Sequence, residues 1–160
     1  MADHFPGEIH IGGPIPRAVL QKLIRAAVDE GVSIESYGGP DADAEALRKV
    51  FQEGSIVHLY ADQARYGMFA VLERFLVDHQ VPFDRHSEAF CEYNAEVVRY
   101  RGGQSAVVLP ADQNGNVLLS REEVAAVLEN ALLDATAKVE AIRSLVSPPD
   151  TAPLAPIRFV

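Results

Sequence analysis

Glu8-Ile9-His10-Ile11-Gly12-Gly13-Pro14 is the stretch on which the fold turns. Four residues alternate as a half-buried strand should, and Gly-Gly-Pro then breaks it. A helix follows from about Pro16, because Val19, Leu20, Leu23, Ile24, Ala27 and Val28 recur at spacings of three and four, the apolar stripe of an amphipathic helix. Pro16 suits a first helical turn and Gly31 a stop. Val32–Tyr37 alternates again and ends at Gly38-Gly39-Pro40, which completes a β-α-β unit.

A second unit of similar length lies 49 residues on. Ser55–Tyr60 reads as a strand, Asp62 as the cap of a helix carrying Met68, Phe69, Leu72, Phe75, Leu76 and His79, and Val81–Arg85 as the closing strand. The shift superposes Leu20 on Phe69, Leu23 on Leu72, Val28 on Val77 and Val32 on Val81, the pattern of an internal repeat. Between the units, Asp41–Gln52 is expected to be a short helix capped by Asp41 or Asp43.

The texture then changes. Ala95–Tyr100, Arg101-Gly-Gly-Gln104 and Ser105–Leu109 read as a hairpin extension. A turn at Asp112–Asn116 and a brief strand at Val117–Leu119 come next. Ser120 and Glu123 form a capping box that opens a long carboxyl-terminal helix to about Leu145. Residues 86–94 have no clean period. Residues 147–160 hold four prolines in their first ten positions and are expected to be a tail outside a single α/β domain at 1–146. That tail is expected to be dispensable for folding, although Ile157–Val160 is apolar for an end. The order predicts an α/β or α+β fold on one sheet: a ferredoxin-like core first, a doubly wound parallel sheet second.

Composition narrows function. Fourteen Lys and Arg against 23 Asp and Glu give a net charge of −9, too few cations to neutralise duplex DNA. The lone Cys91 permits no intrachain disulfide and reads as a small core residue, consistent with a cytoplasmic chain. No signal peptide and no membrane span is legible. G-x-S-x-G, H-E-x-x-H and Walker loops are absent.

Four features carry chemistry. His10 and His58 sit at matching strand positions, which a split β-α-β sheet would make neighbours, a candidate metal pair or acid–base site. Gly12-Gly13 and Gly38-Gly39 follow strands, where backbone amides receive phosphates, although turn punctuation explains them as well. Glu88, Glu92 and Glu96 would form a carboxylate stripe if helical, with His86 nearby. Asp41, Asp43, Glu45 and Asp62 belong to a stretch, Asp29–Asp62, with eight acids against Arg48 and Lys49. Gly38–Glu45 loosely resembles the aspartate motif of Toprim domains over eight residues. The glutamate such domains carry at the end of the first strand is replaced here by Gly12-Gly13, and the chain is not assigned to that family.

The expected function is a non-catalytic binding or regulatory module that docks a basic protein partner on its acidic surface. No cofactor, membrane or direct DNA contact is expected, and self-association is left open. The alternative is a small metal-dependent enzyme of hydrolase or phosphoryl-transfer type, using His10/His58 or Asp41/Asp43/Asp62.

Overall fold

A computed structural model describes residues 3–146 and 152–160. It is a mixed α+β protein with a five-stranded antiparallel sheet and five helices. The chain runs β1 (His4–Ile11), β2 (Pro14–Ile15), a 3-10 turn (Arg17–Val19), α1 (Leu20–Asp29), α2 (Ala44–Gln52), β3 (Val57–Arg65) and α3 (Ala70–Asp78). It continues through β4 (Phe83–Ser87), β5 (Glu96–Tyr100), β6 (Val107–Pro110), α4 (Arg121–Glu129), α5 (Ala135–Val146) and β7 (Arg158–Phe159). The main sheet has the order β3-β1-β4-β5-β6, and every neighbouring pair is antiparallel.

Period-two burial aims one side of this sheet at α1, α2 and α3. Ile9, Ile11, Val57, Leu59 and Phe83 pack there against Leu23, Ile24, Leu47, Phe51, Leu72 and Leu76. Asp43 caps α2 by accepting the amides of Glu45 and Ala46 at 3.0 and 2.8 Å. The start of α3 is closed from another helix: Glu30, just beyond α1, accepts the amides of Val71 and Leu72 at 2.7 and 3.1 Å.

Several expectations are corrected. The doubly wound parallel sheet is excluded by the antiparallel pairing. Residues 32–37 form no strand. Ser33 makes a single two-way bridge to Tyr60, its hydroxyl then accepts the Glu35 amide, and Ser36 turns the chain back by accepting from Gly39. Serine side chains that bond their own backbone compete with a ladder. The strand that a ferredoxin-like core would carry beside β3 is therefore reduced to this one bridge, and a full ferredoxin-like core is not formed. Asp62 caps no helix, because β3 runs on to Arg65 and α3 starts only at Ala70.

The long carboxyl-terminal helix is two helices. Asn130 takes an extended conformation, its side chain accepts the Leu132 amide, and Asp134 then caps α5 by accepting from Ala137. The apolar stripe runs through this break, so periodicity alone joined the two segments. Val117–Leu119 makes only the Ala111–Val117 bridge. The Ser120–Glu123 capping box and the β5–β6 hairpin form as read.

Residues 147–151 of the expected tail lie outside the described residues. Its end is docked: β7 pairs in parallel with β2, and Ile157 is buried in the main core. Gly12 and Gly13 permit this. A Cβ on Gly12 would stand 2.2 Å from the Ala155 carbonyl oxygen, and Gly13 has φ +74°.

Candidate functional site

The strand register lays two polar rows across the sheet face turned away from α1–α3. One row runs His58, His10, Asp84, Arg99 over β3, β1, β4 and β5. The next runs Tyr60, Glu8, His86, Val97 over the same strands. Residues directly opposite on antiparallel strands stand about 4.5–5.5 Å apart at Cβ, so neighbours in each row lie within reach of one another.

The His10 and His58 rings lie 4.0 Å apart between centroids, tilted by 37°. Glu8 Oε1 sits 3.7 Å from His10 Nε2 and 3.8 Å from His86 Nδ1, between the two imidazoles. Asp84 is neutralised by Arg101, whose Nη1 is 2.7 Å from Oδ1. Arg99 has no ion-pair partner among the described residues. Glu8, His10, Asp84, His86 and Arg99 line one cavity of about 220 Å³, closed on one side by Asn114 and Gly115. The 112–116 turn that supplies this wall is held by Asp112, which accepts from the Asn114 and Asn116 amides and the Asn116 side chain.

His10 Nε2 is buried without a hydrogen-bonding partner. Burial, and next the neighbouring His58, push its pKa below the ordinary histidine value, against the pull of Glu8 and Asp84. His10 is therefore a neutral imidazole near pH 7. At the far end of the face, Tyr37 meets Tyr60 edge to face at 5.3 Å. Burial, then Glu8, Glu88, Tyr60 and Asp62, raise the Tyr37 pKa, so this phenol stays protonated. Glu8, His10 and His86 hold the closest set of metal-ligand atoms here, yet no group of three His, Cys, Asp or Glu among the described residues is disposed to hold an ion.

The acidic residues divide. Asp41 and Asp62 line one cleft of about 250 Å³ with Glu30, and Asp62 accepts the Gly38 amide at 2.7 Å. Asp43 is occupied as the α2 cap, and Glu45 lies exposed in the first turn of α2. The two Gly-Gly pairs cradle no phosphate, because their amides are bonded: Gly12 to Pro82, Gly13 to Ala155, Gly38 to Asp62 and Gly39 to Ser36. Glu88, Glu92 and Glu96 form no stripe, since no helix covers them and Glu96 pairs with Arg85. Cys91 is exposed rather than buried.

Sequence reading brought out His10 and His58 but passed over Glu8, Asp84 and Arg99. The signal was present, since Glu8/His10 and Asp84/His86 each stand two apart on a strand. No helix among the described residues is long and apolar enough to cross a membrane. No protein-family model matches the chain, and no curated protein or solved structure is recognisably similar to it.

Proposed function

We propose that the open sheet face binds a small hydroxy-carboxylate, and that His10 accepts a hydrogen bond from its hydroxyl group. The observation that carries this reading is the buried Nε2 of His10, which has no hydrogen bond, with Glu8 Oε1 3.7 Å off, at a cavity that the unpaired Arg99 also lines. A buried nitrogen without a partner costs roughly 1–3 kcal/mol, and a ligand hydroxyl donating to it recovers that cost. Arg99 is two strands from His10 in the same row, about 10 Å at the backbone, a reach that suits a carboxylate on one end of a short acid. Glu8 orients the imidazoles on either side of it. His58 disfavours the charged form of His10, which keeps a base available at neutral pH.

The test is binding of lactate, followed by the His10 ring resonances. Propionate, which lacks the oxygen, and lactamide, which lacks the charge, are the controls. Lactate binds at least about fivefold more tightly than either control, and Arg99→Gln removes the preference for charge. Equal binding of all three, or binding that ignores both His10→Gln and Arg99→Gln, sinks the reading.

A second reading, docking of a basic protein on the acidic surface, is favoured by Asp41 and Asp62 meeting across one cleft. Charge reversal at Asp41 and Glu45 leaves the Asp43 cap intact. It slows association more than it speeds dissociation, because exposed charges steer encounter. Binding kinetics at two ionic strengths decide it: an affinity indifferent to salt and to both reversals places the interface elsewhere.

A further inference from the structure

On the opposite side of the sheet, beyond the reach of α1–α3, the start of β1, the end of β4, the start of β5 and the strand β6 frame a larger cavity of about 660 Å³. Its walls are aromatic. Phe5 and Tyr93 lie 5.7 Å apart between centroids, tilted by 32°, and Tyr66 and Tyr93 lie 5.8 Å apart, tilted by 49°. Glu92 and Glu96 also face this space. Glu96 is matched by the buried Arg85, 2.5 Å away, whereas Glu92 is exposed and has no ion-pair partner among the described residues.

Two observations mark this as a built surface. Tyr66 has φ +56°, the left-handed region that a bulky residue adopts at a cost, and Gly67 follows at φ +64°. A Cβ on Gly67 would stand 2.5 Å from the Phe5 ring and 2.7 Å from the Ser87 side chain, so Phe5 and Ser87 fix the turn that presents Tyr66. The second is a cation already on one of these rings: Arg65 Cζ lies 5.6 Å from the Tyr66 centroid. Desolvation, Asp3, and then Tyr66 and Glu92 raise the Tyr93 pKa, so a neutral phenol stands in a negative field.

We infer that this aromatic cavity binds a small organic cation of the methylated-ammonium class, held against the half-buried rings of Tyr93 and Tyr66 with Glu92 supplying the opposite charge. Ring faces are negative and attract a weakly hydrated cation, and a carboxylate beside them selects charge over mere apolarity. The alternatives fit less well: an anion meets Glu92, and a neutral apolar ligand leaves that carboxylate unused. The site is independent of the histidine face, and either can stand without the other.

The experiment titrates the whole chain with choline and with 3,3-dimethylbutan-1-ol, its uncharged isostere, following the tyrosine ring resonances. Choline binds and the isostere binds at least about fivefold more weakly. Tyr93→Leu, which keeps apolar bulk and removes the π face, weakens choline binding about three- to thirtyfold, and Glu92→Gln weakens it by a smaller factor. Tyr93→Phe retains binding. Glu92 is solvent-exposed, so Glu92→Gln and the isostere comparison decide the matter even if Tyr93→Leu folds poorly. Sedimentation with phosphatidylcholine vesicles, lost in Tyr93→Leu, would assign the cation to a lipid headgroup; binding of free choline without sedimentation assigns it to a soluble ligand. No choline binding at tens of millimolar, equal binding of the isostere, or binding unchanged in both Tyr93→Leu and Glu92→Gln overturns the inference.

Discussion

At the residue scale, the histidine face works through charges that are held unequal. His10 is about 30% exposed and His86 about 11%, and Glu8 reaches toward both. The lowered pKa of His10 fixes a sign. The folded state disfavours its proton, so the unfolded chain binds more protons between the folded pKa and about 6.5. His10 thus contributes stability that is fully present above about pH 6.5 and is lost as pH falls toward its folded pKa. Chemical denaturation from pH 7.5 to 5 will show the midpoint dropping, and His10→Gln will flatten that drop; an unchanged slope contradicts the electrostatics. In the core, Leu23 and Leu72 are both fully buried on helices that face the sheet. Replacing either with Ala will cost about 2–5 kcal/mol by equilibrium unfolding. A near-neutral result at both would mean that the helix faces have been drawn wrongly.

At the scale of elements, what was legible followed from chemistry within a few residues. The stripe of α1, the Asp43 cap, the Ser120–Glu123 box and the Gly102-Gly103 hairpin each rest on local rules, and each forms. The misses have one physical origin, competition from partners far away in sequence or from side chains bonding backbone. Asp62 has the chemistry of a cap, but β1 extends β3 past it through pairings as far as His4–Arg65. Val32–Tyr37 alternates, but Ser33 and Ser36 close turns instead. Asn130 and Asp134 carry side chains suited to stopping and starting helices inside a stripe that ignores them. The docked end is the same lesson from the other side. Ile157 is buried, and Val160 accepts from Arg17 and donates to Ile15. Ile157→Ala will therefore cost about 2–4 kcal/mol in denaturant unfolding, whereas a cost under about 0.5 kcal/mol would show that the segment is an ornament on the fold.

At the scale of the whole molecule, the sheet separates two chemistries. One face carries His58, His10, Asp84 and Arg99 in register, and the other carries the core and, past the helices, an aromatic cavity. Half of the first site was legible, because matching strand positions predicted that His10 and His58 would meet. Arg99 and Asp84 were not, because their neighbourhood depends on β4 lying between β1 and β5, which local pattern cannot supply. The histidine pair meets across the antiparallel β1–β3 ladder, at directly opposed positions. The central claim is that this row is one coupled site with a neutral base in it. Its most direct test is the pKa of His10 read from imidazole NMR in the unmodified chain, in His58→Gln, and in the presence of lactate. The row predicts a value below 6.5 that rises in His58→Gln, where the like-charge neighbour is gone, and rises again when a carboxylate binds beside it. A His10 that titrates at about 6.5 and moves with neither change would contradict it.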